Sequence, residues 1–315
     1  MNRKPPAMPV SGRRLWLVVA LALVLTLTLA AVAVGCGSSE ETATTAGSAT
    51  TVAPTTTSAP STSTSVAKSN LILASTTSTQ DSGLFDVLIP AFSKAHPQYT
   101  VKVVAVGSGE ALKLGESGDA DVLLVHSPAA EKTFMDKGFG VDRKAVMYND
   151  FIIVGPASDP AKIKGMTDAA AAFAAIANTK ATFFTRGDAS GTNAKELTLW
   201  KAANITPSGS WYQKTGQGMG ETLTITDQKS GYTLSDRATY LSKKSSLQLE
   251  ILVEGDKALF NQYHVITVKA AKNVQGANDF MNWIVSPDVQ QNVIAPFGKD
   301  KYGQALFVPN AGQAE

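Results

Sequence analysis

The chain has one cysteine, Cys36, in 315 residues. A single thiol closes no internal disulfide, and without a second one there is no CxxC site for a metal or for redox exchange. The three histidines, His96, His126 and His264, are scattered, with no ligand spacing and no carboxylate pair beside them. That argues against a metal centre and for structural roles. No GxSxG, HExxH or P-loop stretch occurs. The many serines have no base partner close in sequence, so a serine hydrolase has no positive support. A dominant charge is missing as well: 28 lysines and arginines face 26 acids. No basic run or Arg/Lys stripe with interleaved aromatics is present, which sets aside a nucleic-acid partner.

One long apolar run does exist, and it stands at the start. Arg3, Lys4, Arg13 and Arg14 precede Leu15 to Val34, which is apolar apart from two threonines, and then comes Ala33-Val34-Gly35-Cys36. A basic start, an apolar stretch and small residues before a cleavage point describe an export signal, here residues 1–35. A cysteine after a small residue at that boundary resembles a bacterial lipobox, with Cys36 as the lipidated first residue, although Ala33 stands where a leucine is usual. The alternative is an uncleaved anchor, since about 20 apolar residues can span a bilayer. Both readings hold the protein at the cell membrane on its extracytoplasmic side. Removing the four basic residues turns the net charge from +2 to about −2.

Residues 36–69 are nearly all Ser, Thr, Ala, Gly, Val and Pro. They have no apolar periodicity and read as a disordered tether spanning ~30 Å. The folded body starts near Asn70. Strands are expected at Leu71–Leu73, Tyr99–Val106, Asp121–Val125, Phe151–Val154, Ala181–Thr185, Leu247–Leu252 and Tyr263–Val268. Between them lie helical patterns: Leu84, Val87, Leu88, Ala91 and Phe92 behind a capping Asp81; a short helix after Gly109; Glu131–Lys137; Asp168–Ala177; Asn193–Ala203; "DRATYL"; Ala277–Val285; and Pro287–Val293. Alternating strands and helices predict an α/β fold with a mostly parallel sheet. The pattern restarts after Gly155-Pro156, and no internal repeat is found. We expect two lobes, residues 70–152 with 266–315 and residues 153–265, joined near Phe151–Gly155 and near Tyr263–Val268.

Three hydroxyl- or glycine-rich turns fall between a strand and a helix: "STTS" at 75–78 running into "TQDSG", "GSG" at 107–109, and "RGDASGT" at 186–192. A helix start offers unpaired N–H groups and partial positive charge, a ready anion site. Ser75, Thr76, Thr77, Ser78, Ser108, Ser190 and Thr192 add donors, Gly191 lets the backbone approach, and Arg186 adds a fixed charge with a forked donor set. In α/β sheets such turns lie at the carboxyl ends of strands, where ligands bind. Each also has a plainer reading: helix capping for the first, a tight turn for the second, an Arg186–Asp188 pair stapling a loop for the third.

"ASTTSTQDSGL", "VGSGEAL", "NDFIIVGP", "FFTRGDASGTNAKE", "WYQKTGQGMGETL" and "YTLSDRATYL" occur in this order. Together they resemble the tungstate-binding proteins of bacterial ABC importers, from about Leu71 to Phe307. The family's Thr-Thr-Thr-Ser run begins here with Ser75, and its Ser-Arg-Gly-Asp stretch begins with Thr185, a hydroxyl for a hydroxyl each time. The resemblance implies a two-lobe periplasmic-binding-protein fold with two hinge strands. It also implies a non-enzymatic role without a cofactor: a monomer that captures tungstate or molybdate and delivers it to an ABC permease and its ATPase. Tungstate is a fully deprotonated dianion at neutral pH, so its site should hold only donors. Phosphate- and sulfate-binding proteins are the rival, because Arg186, Asp188, Ser190, Gly191 and Thr192 also match a phosphate-binding stretch. Phosphate keeps a proton and gains from a carboxylate, for which Asp81 and Glu110 are the nearest candidates. An extracytoplasmic hydrolase using a turn as an oxyanion hole, and a sensor presenting its closed form to a receptor, are the remaining readings.

Overall fold

The computed structural model describes residues 68–313. The expected export signal, Cys36 and almost all of the tether lie outside the described residues. Among the described residues, no helix is long and apolar enough to cross a membrane.

The first lobe opens with β1 (Ser69–Thr76), the short helix α1 (Thr77–Asp81), α2 (Phe85–Ala95), β2 (Tyr99–Val106), α3 (Ser108–Glu116), β3 (Val122–Val125), α4 (Pro128–Asp136) and the long β4 (Gly140–Gly155). The second lobe follows with α5 (Ala169–Thr179), β5 (Phe183–Thr185), α6 (Gly191–Ala202), β6 (Tyr212–Lys214), α7 (Met219–Gln228), β7 (Thr233–Asp236), α8 (Arg237–Lys243) and β8 (Glu250–Val253). The chain then returns through β9 (Phe260–Val268), α9 (Val274–Ile284), a helical turn at Pro287–Val289 that runs on as a π segment to Ile294, and β10 (Val308–Pro309).

Strand side chains alternate between faces, and that alternation builds the layers. Leu71, Leu73, Val122 and Leu124 face one core with Phe92 of α2 and Phe280 of α9. Ala74, Leu123 and Val125 face the other, with Leu112 of α3 and Phe134 of α4. The second lobe repeats the device: Phe151 and Ile153 join Phe173, Phe183 and Trp200 on one side, and Ile152 and Val154 join Leu223 and Leu249 on the other.

The sheet is mixed, not mostly parallel as expected. Its order is β10-β4-β9-β3-β1-β2, with β7 and β8 on the far half of β4. β1 pairs in parallel with β2 and β3, as do β5 and β6, whereas β9 is antiparallel to both β3 and β4, and β7 and β8 are antiparallel to β4. The reason is the hinge: one strand leaves the first lobe and its neighbour comes back in the opposite direction. β4 pairs with β9 up to Asp150↔Phe260 and with β7 from Phe151↔Asp236. The partner of β4 therefore changes from β9 to β7 between Asp150 and Phe151. On the return, β9 is paired with β4 from Phe260 onwards.

Candidate functional site

Each of the three turns stands where a parallel-paired strand ends and a helix begins, β1 and β2 in the main sheet and β5 in a separate two-stranded sheet with β6. Thr76 closes β1 and caps α1, its Oγ1 accepting from the Thr79 N–H at 3.2 Å. Gly107 precedes α3 without a side-chain cap. Ser190 caps α6 by accepting from the Asn193 N–H at 3.2 Å. A sharp turn precedes that cap: Gly187 and Ala189 both have positive φ, 60° and 56°, and Asp188 Oδ1 accepts from the Ser190 N–H.

The turns of the two lobes meet. Arg186 Nη2 donates to Thr77 Oγ1 at 3.1 Å, and the Gly109 N–H donates to the Ala189 carbonyl at 3.3 Å. Glycine is required there, since a Cβ on Gly109 would lie 2.7 Å from that same carbonyl oxygen. Gly191 rests on His126, with a notional Cβ 2.6 Å from the His126 carbonyl. Arg186 is 2% exposed, and its guanidinium is braced by Asp188, Nε to Oδ2 at 3.1 Å.

The expected donors divide into two groups. Ser75 gives its proton to the Leu124 carbonyl at 2.6 Å, and Thr76 and Ser190 are engaged as caps, so these three shape the turns. Thr192 Oγ1 is buried without a hydrogen-bond partner, and Ser78 Oγ is buried with no bond of ordinary geometry, although it stands close enough to the Asp236 carboxylate to lower its pKa. Ser108 is fully buried, with only a long 3.5 Å contact from the His126 N–H. Buried hydroxyls without good partners are costly unless something supplies acceptors.

The carboxylates nearby are occupied by protein donors. Glu110 is on the surface with Lys113 at 3.1 Å. Asp81 is not the cap of α2 that the sequence suggests; it accepts from the Gly220 N–H of α7 at 2.9 Å, and burial raises its pKa. Asp236 caps α8, accepting from the Thr239 N–H and hydroxyl at 2.9 and 2.8 Å. Burial pushes it up to about 6. Glu196, fully inside the second lobe, accepts from Thr185, Trp200 and Tyr212 at 2.6, 2.9 and 2.7 Å.

The histidines are structural in their contacts. His264 is buried against Glu131 at 2.7 Å. His126 is buried, which drives it down to about 4. Its Nδ1 lies 3.0 Å from Asn261 Oδ1, and because the Asn261 amide nitrogen donates to Asn149, that oxygen is free to accept from a protonated Nδ1. Gly220 is the residue of this region that sequence reasoning missed, and the partner of Asp81 was missed with it.

Comparisons with known proteins identify the chain's family. Residues 38–288 match the PBP superfamily domain. The chain is 51% identical over 253 residues to the tungstate-binding protein TupA of Peptoclostridium acidaminophilum, covering 78% of this chain and 88% of that protein. It is 46% identical over 243 residues to TupA of Campylobacter jejuni, covering 74% and 88%. Among solved structures it is similar to the tungstate ABC transporter protein of Geobacter sulfurreducens, with TM-score 0.66 and 45% identity over 72% of this chain and 98% of that one. It is also similar to TupA of Desulfovibrio alaskensis G20, with TM-score 0.62 and 48% identity over 77% and 99%.

Proposed function

Because the chain belongs to the PBP superfamily, we propose that it is a solute-binding protein that captures tungstate outside the cytoplasm and hands it to the permease of an ABC importer. The likeness to relatives named for tungstate supports the ligand. The observation that carries the chemistry is a buried hydroxyl without a partner, Thr192, and a second, Ser78, held only loosely beside Asp236, in the turns that flank a buried Arg186. A tetrahedral dianion supplies the acceptors those groups lack.

In this reading Thr77, Ser78 and Ser108 hold the oxyanion from the first lobe. Arg186 and Thr192 reach it from the second, with the N–H groups at the start of α6. Ser75, Thr76, Ser190 and Gly191 fix the turns that present these donors. Closure excludes water and strengthens each charge-assisted bond. The nearby carboxylates already hold protein N–H or O–H groups, so a protonated oxyanion such as hydrogen phosphate finds no ready acceptor. The finer parts of the reading are lipidation at Cys36, action as a monomer, and an ATPase behind the permease.

Titration calorimetry of the full chain, purified without phosphate, against tungstate, molybdate, sulfate and phosphate tests the ligand. The expected result is tight one-to-one tungstate binding, with molybdate weaker and phosphate silent. Tighter binding of phosphate than of tungstate overturns the reading.

A further inference from the structure

α7 begins in the stretch Gly216-Gln217-Gly218, and its N-cap, Gly218, has no side chain to satisfy the free N–H groups of the first turn. The missing cap comes from the other lobe. Asp81, the last residue of α1, accepts from the Gly220 N–H at 2.9 Å across 139 residues of sequence. The fit is close: a Cβ on Gly220 would stand 2.9 Å from Asp81 Oδ2 and 2.5 Å from Lys243 Cε. The charges that face Asp81 are Lys243 of α8 and Arg186, which attract it, with Glu221 of α7 opposing and Asp236 close by.

We propose that Asp81 is a latch that caps α7 only when the lobes are closed, and so sets how tightly and how long the oxyanion is held without touching it. This rests on the ligand reading above for its effect on affinity, but not for its effect on closure. A carboxylate at a helix N-terminus is favourable through both the hydrogen bond and the helix dipole. Opening the lobes returns Asp81 and the Gly220 N–H to water, so the latch stabilises only the closed form. A residue that shifts the closed fraction changes the apparent affinity by the same factor, and a contact made after encounter is read mainly in dissociation. Asp81 is thus a positioning residue for closure.

The test uses the full chain with Cys36→Ser and spin labels on cysteines replacing the exposed Lys113 and Lys229, one on each lobe. Inter-label distances are measured with and without tungstate, together with tungstate association and dissociation rates. Asp81→Ala is expected to shift the ligand-free distances towards longer values and to raise the dissociation rate about three- to thirtyfold, with association little changed. Asp81→Asn, which keeps an acceptor but loses the charge, is expected to fall between. Gly220→Ala, which leaves Asp81 intact and crowds its seat, should reproduce the opening; it also keeps the idea testable if Asp81→Ala fails to fold. Unchanged distances in both Asp81→Asn and Gly220→Ala overturn the latch. If the parent chain binds no tungstate, the ligand reading fails, and the ligand-free distances still decide the latch.

Discussion

Arg237 grips Asp150 with two parallel hydrogen bonds, Nε to Oδ1 at 2.7 Å and Nη2 to Oδ2 at 2.6 Å. Asp150 is the residue at which β4 passes from one lobe's sheet to the other's. The same Nη2 also reaches Glu254 at 2.6 Å, just after β8 and before the return. One side chain at the start of α8 therefore ties the first crossing to the segment that leaves β8 towards the return.

Removing that tie should loosen the hinge more than it harms either core. Arg237→Met is expected to cost about 1–2 kcal/mol, chiefly through Asp150, with little added for the exposed Glu254. In a body of this size that is a fall of about 3–6 °C in Tm. Arg237→Lys should recover less than half, because an ammonium cannot reproduce the two-point geometry. Thermal melts of the three proteins decide; full rescue by lysine would mean that charge alone matters there.

Ser78 and Thr192 should separate binding from folding. Thr192→Ala removes a buried donor that the protein itself does not satisfy, and Ser78→Ala one that meets only Asp236 and without ordinary geometry, so the melting temperature should hold or rise slightly for Thr192→Ala and change little for Ser78→Ala. Tungstate affinity should fall about tenfold for each, at about 1–1.5 kcal/mol per hydrogen bond. Arg186→Ala should cost far more, several kcal/mol, because a desolvated charge opposite the anion is lost and Asp188 is left without its partner. Calorimetry beside thermal melts reads both quantities, and equal losses of stability and affinity would place these hydroxyls in the fold rather than the site.

Asp236 makes stability depend on pH with an unusual sign. Its carboxyl is pushed up to about 6 by burial, so the folded protein holds a proton that the unfolded chain releases near the ordinary Asp value of ~3.9. The contribution is fully present below that value, is lost as pH rises through about 6, and is constant above it. From this group the protein should lose up to about 3 kcal/mol between pH 4 and 7. Urea midpoints at pH 4, 5, 6 and 7 for the parent and for Asp236→Asn give the answer as a difference; parallel curves would remove Asp236 as the cause.

Much of this architecture was legible in the residues. β2 has the ends its alternation marks, and the turns at 75–78, 107–109 and 186–192 do lie where strands give way to helices. What stayed hidden has physical reasons. α7, "MGETLTITDQ", has glycine and three threonines in place of a clean apolar stripe, and its stability comes from Met219 and Leu223 packing under β4 and from a cap in the other lobe. The first eleven residues of β4 mix Asp142, Arg143 and Lys144 into the strand, with Arg143 turned inward to Glu131 at 3.0 Å. Local pattern cannot show that a charge has a buried partner. The roles of Ser75 and Asp81 are long-range in the same way: one hydroxyl is spent on Leu124 and one carboxylate on Gly220, and neither partner is visible within a window of sequence.

The place of β9 bears on how the protein is made. It lies between β3 and β4, yet more than a hundred residues separate it from both, and the whole second lobe is synthesised in between. Until Val268 has emerged, β3 and β4 have no strand between them, and the first lobe's sheet is two fragments. The later lobe in sequence is thus the first to have all its strands. The lobe that carries the opening "STTS" turn is completed last, by β9, which arrives after its neighbours have waited for it, and then by β10 at the edge of β4.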